Sequence, residues 1–302
     1  MGAVLERMDK VTLVAGSSII IALVVMAIKY AAYLATGSVA LYSDALESVV
    51  NLITAIAAFW AIRVSHKPAD TDHQFGHHKA EYFAAVLEGV LIVVAALLIA
   101  RQAWLAFQLG LAPENTIHGL AINAVATAIN ASWAAFLFRF GRQRRSPAFV
   151  AEAWHLTSDV ISSIGVIIGL LLVVVTGWTV LDSVVAVIVA VNILWSGWAV
   201  IRDSVSGLMD EAVSRPLDAE IRAIIASKAE GALEVHDLRT RSAGRATFIE
   251  FHLVVPGSLS VVAAHAICDR IEAELTKAVE GAEVSIHVEP EGEARHHGVI
   301  VL

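Results

Sequence analysis

Six long apolar runs constrain this chain more than any other feature. They cover about residues 11–34, 39–62, 82–107, 120–138, 148–175 and 180–200, and a helix needs roughly 20 apolar residues to cross the hydrocarbon core of a bilayer. The third and fifth runs are long enough to tilt or to project beyond it. The turns Thr36-Gly37-Ser38 and Thr176-Gly177-Trp178 are so short that helices 1 and 2, and helices 5 and 6, must be antiparallel neighbours. Mean hydropathy is +0.71 and 57% of residues are hydrophobic, more than a soluble core of this length requires. The excess lies mostly before about residue 205, which predicts a membrane domain followed by a soluble one. Glu6, Arg7, Asp9 and Lys10 precede the first run, and a cleavable signal peptide would have a shorter apolar core, so that run reads as a retained helix.

Basic residues set the orientation. Arg63, Lys67 and Lys79 follow the second run, and Arg139, Arg142, Arg144 and Arg145 follow the fourth; the loops after the first, third and fifth contain no Lys or Arg. Basic loops stay in the cytoplasm, and an even helix count puts both termini there too. Trp104, Trp178 and Trp195 fall towards helix ends, as interfacial anchors do. Beyond about residue 214 the pattern becomes that of a soluble domain. Residues 217–229 and 260–279 are amphipathic helices; 233–242, 247–255 and 283–288 alternate as half-buried strands. An α-β-β-α-β order predicts a small α+β sandwich with helices on one face of a sheet. The expected divisions are 1–208, 209–290 and a tail over 291–302. Cys268 is the single cysteine, which excludes a disulfide framework and a cysteine-rich zinc site; it reads as a small apolar residue on a helix face. The net charge of −8 gives no reason to expect a nucleic-acid partner.

Charge inside a spanning helix costs at least ~2.5–3.5 kcal/mol, so it needs a reason. The second run carries Asp44, Glu47, Ser48 and Asn51 within an arc of about 100°. The fifth carries His155 and Asp159, four residues apart and so on one face. Imidazole and carboxylate from two facing helices can close a four-coordinate cation site, and a cation offsets the cost of burying the acids. Lys29 can snorkel to the interface, and Arg101 can do the same or pair with an acid. Asp182, at the start of the sixth run, is a candidate N-terminal cap, and Glu88 is either a proton relay or a solvated or paired acid.

Histidines also cluster outside the runs. Asp70, His73 and His77 have spacings that one turn can bring together, in a loop that is either a metal site or merely polar. In the soluble part His236, His252 and His287 fall on three successive strands, Glu289 follows His287 on the same face, and His265 is on the second helix. One such histidine is ordinary; one on each strand beside an acid points to metal.

With these residues in place the chain resembles the cation diffusion facilitators, most closely the bacterial zinc/iron-type metal/proton antiporters. The resemblance spans about residues 15–290. It rests on Thr36-Gly37-Ser38-Val39, on Pro68-Ala69-Asp70 through His73-Gln74-Phe75-Gly76-His77 to Lys79-Ala80-Glu81, on His155 and Asp159 followed by Val160, and on His236-Asp237-Leu238-Arg239-Thr240-Arg241. It implies six transmembrane helices, a ferredoxin-like (metallochaperone-like) cytoplasmic domain, a homodimer and residence in the lipid of the bacterial inner membrane. It implies a transport site of Glu47, Asn51, His155 and Asp159, a loop site of Asp70, His73 and His77, and a binuclear site of His236, His252, His265, His287 and Glu289. Lys79 and Asp210 match the family's charge interlock. Asn51 departs from the usual acid or histidine, with Asp44 one turn earlier as a substitute or helper, and an oxygen-richer site suits Mn²⁺ or Fe²⁺ better than a tetrahedral Zn²⁺ site would.

The expected function is efflux of Zn²⁺, Fe²⁺ or Mn²⁺ in exchange for protons, with the same ions bound as regulatory ligands in the cytoplasmic domain. No bond-making chemistry is expected: the runs contain neither a His-Glu-x-x-His pair nor a serine–histidine arrangement. The alternative is a membrane-anchored metal sensor or metallochaperone that transports nothing, but an anchor would not need the polar stripes of helices 2 and 5.

Overall fold

The computed structural model describes residues 2–36, 39–109, 117–178, 180–295 and 300–301. Within its helices some side chains fall outside that description, among them those of residues 2–9, 39–47, 166–174 and 180–183. The chain forms two units, Met1–Val205 and Ser206–Leu302.

The first unit is helical: α1 (Gly2–Thr36), α2 (Val39–Ser65), α3 (Ala80–Leu109), α4 (Ile117–Arg144), α5 (Pro147–Thr176) and α6 (Val180–Leu208). Each apolar run lies within one helix, and even α2, at 27 residues, is about 40 Å long, more than the ~30 Å of hydrocarbon. Among the described residues, Lys10–Ala31 of α1 and Ala80–Leu105 of α3 are the stretches long and apolar enough to cross a membrane. Large apolar side chains such as Leu13, Ile20, Trp60, Leu97 and Ile188 point outward, a surface suited to lipid. The interior is built from Val14 and Ala15 of α1, Ile62 of α2, Leu137 of α4, and Phe149 and Leu156 of α5.

The short turn after α5 predicts pairing of α5 with α6; among the described residues their contact is slight, one small cluster of Val200 of α6 with Ala151 of α5 and Ala85 of α3. The tighter approach is between α6 and α3. A Cβ on Gly89 would come within 2.7 Å of Ile201, and one on Gly197 within 2.8 Å of Ile92. Two glycines facing one another let the backbones close, as small residues do between membrane helices.

The second unit opens with α7 (Arg215–Lys228), which follows Ser214 and has Pro216 in its first turn. β1 (Glu234–Ala243) and β2 (Ala246–Val255) form a hairpin. α8 (Val261–Ala278), whose Ser260 cap accepts from the Ala263 amide at 3.2 Å, crosses to β3 (Ala282–Pro290), parallel to β2. The sheet order is β3-β2-β1-β4. β4 (Ile300–Val301) pairs antiparallel with Glu234 and Val235 of β1, so the tail expected beyond Pro290 contributes an edge strand. Ile221 and Ile225 of α7 and Ile267, Ile271 and Leu275 of α8 pack on Val235, Ile249, Phe251 and Leu253. Cys268 lies in this core, and burial raises its thiol pKa, as expected of a packing residue. Strand alternation leaves the other face for polar groups.

Candidate metal centres

The polar faces of α2 and α5 meet in the interior of the first unit. Asn51, His155 and Asp159 are 5%, 3% and 4% exposed. The Asn51 amide joins the other two: Nδ2 donates to Asp159 Oδ2, and Oδ1 accepts from His155 Nε2. With Nε2 so engaged, His155 Nδ1 is buried without a hydrogen-bond partner. An amide oxygen, an imidazole and a carboxylate from two helices thus converge where water is scarce, a donor set for a borderline divalent cation. Ser48, one turn before Asn51, is fully buried on the same stripe. Asp44 and Glu47 belong to α2, but their side chains lie outside the described residues.

A cavity beside this triad is lined by Ser18, Asn130, Trp133, Glu152, Asn51 and His155. The Trp133 indole N–H donates to Ser18 Oγ at 3.0 Å, tying α4 to α1. Glu152 escapes a motif-based reading, although an acid one turn before His155 in an apolar helix is a visible signal. Two expectations change here. Lys29 does not snorkel: its side chain is among the largest fully buried ones, at 2% exposure. Glu88 is not solvated: it is 1% exposed, and neither carboxylate oxygen has a hydrogen-bond partner.

The loop between α2 and α3 gathers a second group. Asp70 Oδ1 accepts from the amides of His73 (2.7 Å) and Asp72 (3.0 Å), which turns the chain back on itself. The His73 carbonyl then accepts from the Gly76 amide at 2.9 Å. Gly76 adopts φ +77°, a conformation only glycine takes without strain. As a result His73 Nδ1 and His77 Nε2 both lie 3.4 Å from the Asp70 carboxylate. A tetrahedral shell with ligands at about 2.1 Å has edges of about 3.4 Å, so the spacing fits a zinc-sized ion.

The His73 amide is the main cause that holds the Asp70 carboxyl below its ordinary pKa, opposed by slight desolvation. The anion therefore persists to lower pH than a free aspartate would, and its pairing is lost only as pH falls through that depressed value. Loss of metal in mild acid should come from the imidazoles, which must be neutral to coordinate. Asp70→Asn is expected to weaken Zn²⁺ binding by the loop at least about tenfold, read by dye competition in a protein carrying His252→Ala. Unchanged affinity would remove Asp70 from the ligand set.

The third group follows from strand register. His236 stands opposite His252 across β1–β2, and His252 opposite His287 across β2–β3. The rings adjoin, with centroids 5.2 Å and 4.9 Å apart. Glu289 reaches all three: 3.1 Å to His236 Nε2, 2.8 Å to His252 Nδ1 and 3.8 Å to His287 Nε2. His236 is almost fully enclosed; Glu234 approaches its Nδ1 at 3.2 Å, yet neither ring nitrogen achieves hydrogen-bond geometry. Buried nitrogens in ion-pair range without proper hydrogen bonds fit a cation between them. A bulge between His236 and Arg239, with Asp237 at φ +50°, adds Asp237 as a possible third ligand with His236 and His252. Motif reading missed both Glu234 and Asp237. His265 stands apart on α8, exposed, with Asp269 one turn on at 3.5 Å. Asp210, at φ +62°, pairs with Arg241 at 3.3 Å within the second unit, whereas Lys79 belongs to the first.

Comparison with known proteins places the chain in a family. Residues 17–209 match the cation efflux transmembrane domain, and residues 214–291 match the cytoplasmic domain of cation efflux proteins. An uncharacterized transporter of Synechocystis sp., sll1263, is 41% identical over 89% of this chain and 87% of its own length. The cation-efflux pump FieF of Pectobacterium atrosepticum is 35% identical over 93% of each. Among solved structures, the metal-bound C-terminal domain of the CzcD transporter from Thermotoga maritima is 31% identical, covering 28% of this chain and 100% of its own, with a TM-score of 0.25. With a family match over most of its length and full-length relatives at this identity, the chain belongs to the cation diffusion facilitator family of integral membrane cation transporters.

Proposed function

We propose that this protein exports divalent transition-metal ions, Zn²⁺, Fe²⁺ or Mn²⁺, from the cytoplasm in exchange for protons, as a homodimer with six spanning helices per chain and both termini inside. The observation that carries the reading is the buried convergence of Asn51, His155 and Asp159 between α2 and α5. A cation entering there takes the Asp159 carboxylate and a His155 nitrogen away from the Asn51 amide and keeps the amide oxygen as a further ligand, with Glu47 and Asp44 from the same helix. Coordination requires a neutral imidazole and ionised acids, so binding expels protons and external protons can drive release. Rocking of helix pairs about the site exposes it to either side in turn. The loop site and the sheet site hold ions of the same kind and couple the cytoplasmic metal level to the dimer. The relatives named as cation-efflux pumps support this reading.

The test is flux in proteoliposomes under an imposed pH step, with Zn²⁺, Mn²⁺ and Fe²⁺ offered separately and an internal pH dye. Wild type should move metal against an opposite proton flux, and Asp159→Ala should move none. If wild type moves no metal under any gradient while its cytoplasmic unit still binds it, the sensor reading takes the place of transport.

A further inference from the structure

The ligand set above leaves two buried acids unused. Glu88 of α3 is 1% exposed with both carboxylate oxygens unpartnered, and Glu152 of α5 is 4% exposed with Oε2 unpartnered. The helices bring them together: Ala85, one turn before Glu88, packs with Ala151, the neighbour of Glu152. The charge of Glu152 acts directly on Glu88. Glu152 in turn lines the cavity that also contains Asn51 and His155.

The surroundings offer these acids little compensation. From α2, Thr54 approaches Glu88, but its hydroxyl is given to the Asn51 carbonyl at 2.9 Å. From α1, the Ser18 hydroxyl hydrogen-bonds Glu152, a single neutral partner, and the charge of the buried Lys29 acts on His155. From α4, Asn130 is neutral, and on α5 itself His155 and Asp159 are engaged with Asn51. Glu81, two turns before Glu88 on α3, is held by Ser65 and Ser146. On α6 the charged pair Arg202 and Asp203 is exposed and mutually bonded at 2.9 Å. Two adjacent carboxylates in such a place cannot both be ionised, so at least one carries a proton.

We propose that Glu88 and Glu152 hold a proton that is exchanged for the cation, so that the acid pair is a proton-carrying site distinct from the metal ligands. A divalent cation at His155 and Asp159, one turn from Glu152, raises the electrostatic potential at the pair and favours its anionic form. A proton therefore leaves as the cation arrives and returns as the cation departs. Charge moves in opposite directions with no bond made or broken beyond the O–H of the carboxyl group. This inference rests on the antiport reading above.

The test compares wild type with Glu88→Gln and Glu152→Gln, both close in shape to the native side chain. In proteoliposomes carrying a zinc dye and a pH dye, Glu88→Gln should still pass Zn²⁺ down a Zn²⁺ gradient. Its proton-to-zinc ratio should fall by about one, and a pH step alone should no longer drive Zn²⁺ uptake. In weakly buffered detergent, the proton release on Zn²⁺ binding that depends on Asp159 should shrink in both variants, a readout that needs no transport. An unchanged ratio in Glu88→Gln, or undiminished proton release in a variant that binds Zn²⁺, overturns the proposal. Zinc movement by wild type with no proton flux overturns the antiport reading itself, an outcome separable from failure of the acid pair.

Discussion

Asn51→Leu should slow Zn²⁺ transport at least about a hundredfold, measured as initial flux in proteoliposomes. Leucine keeps the branching and heavy-atom count of asparagine, with bulkier methyl groups, and removes the donor and the acceptor of the amide. The native amide donates to Asp159 and accepts from His155, and so holds a ligand pair in one place between two helices. Without it a buried carboxylate loses a hydrogen-bond donor, a loss of about 3 kcal/mol for a bond to a charged group, and each 1.4 kcal/mol is tenfold in an equilibrium. Asn51→Asp differs in kind. It keeps an oxygen at the same place and adds charge, so transport should survive, with Zn²⁺ bound more tightly and more steeply dependent on pH. A Leu variant within about threefold of wild type would show that the amide neither positions nor binds.

Phe251→Ala should destabilise the cytoplasmic unit by about 3–5 kcal/mol, a large part of the roughly 5–15 kcal/mol available to a domain of this size. Phe251 is 1% exposed in the middle of β2, in one cluster with Ile221, Ile225, Ile271 and Leu275. Truncation leaves a void that two helices and the sheet cannot fill by small shifts. Resistance of the second unit to protease in the intact protein should fall sharply, while the helical unit stays protected. Val261→Ala, at a side chain 85% exposed, is the control and should change stability by less than about 0.5 kcal/mol. If the two variants resist protease equally, the sheet is not held by this cluster.

The sequence told most where one physical requirement dominates. Apolar length places the six helices of the first unit, because each run is long enough for a helix and ends at a polar or glycine-containing turn. Alternation finds β1, β2 and β3, because one face packs on α7 and α8. It does not find β4, since two residues, Ile300 and Val301, are too few to show a period. The triad of Asn51, His155 and Asp159 was legible because polar groups in an apolar helix need a cause. Glu152 was harder to see: only packing against α3 reveals that it meets Glu88 and faces the cavity. The snorkelling expected of Lys29 assumed that a lysine in a lipid-spanning helix points outward, whereas here it turns into the bundle. His265, exposed on α8 beside Asp269, keeps the role that the resemblance implies for it, because strand register brings together only the three strand histidines.

The row of histidines across β1, β2 and β3 makes the sheet a gauge of its own assembly. His236, His252 and His287 share a face only because each stands level with the next. A slip of one residue in β2 would carry His252 to the side covered by α7 and α8 and would leave Glu289 beside apolar neighbours. Hairpin register and crossover length thus become a condition for collecting the ligands at all. Newly made or damaged chains with misaligned strands would have no place to load an ion, so metal occupancy of this domain would tell correctly folded copies from faulty ones.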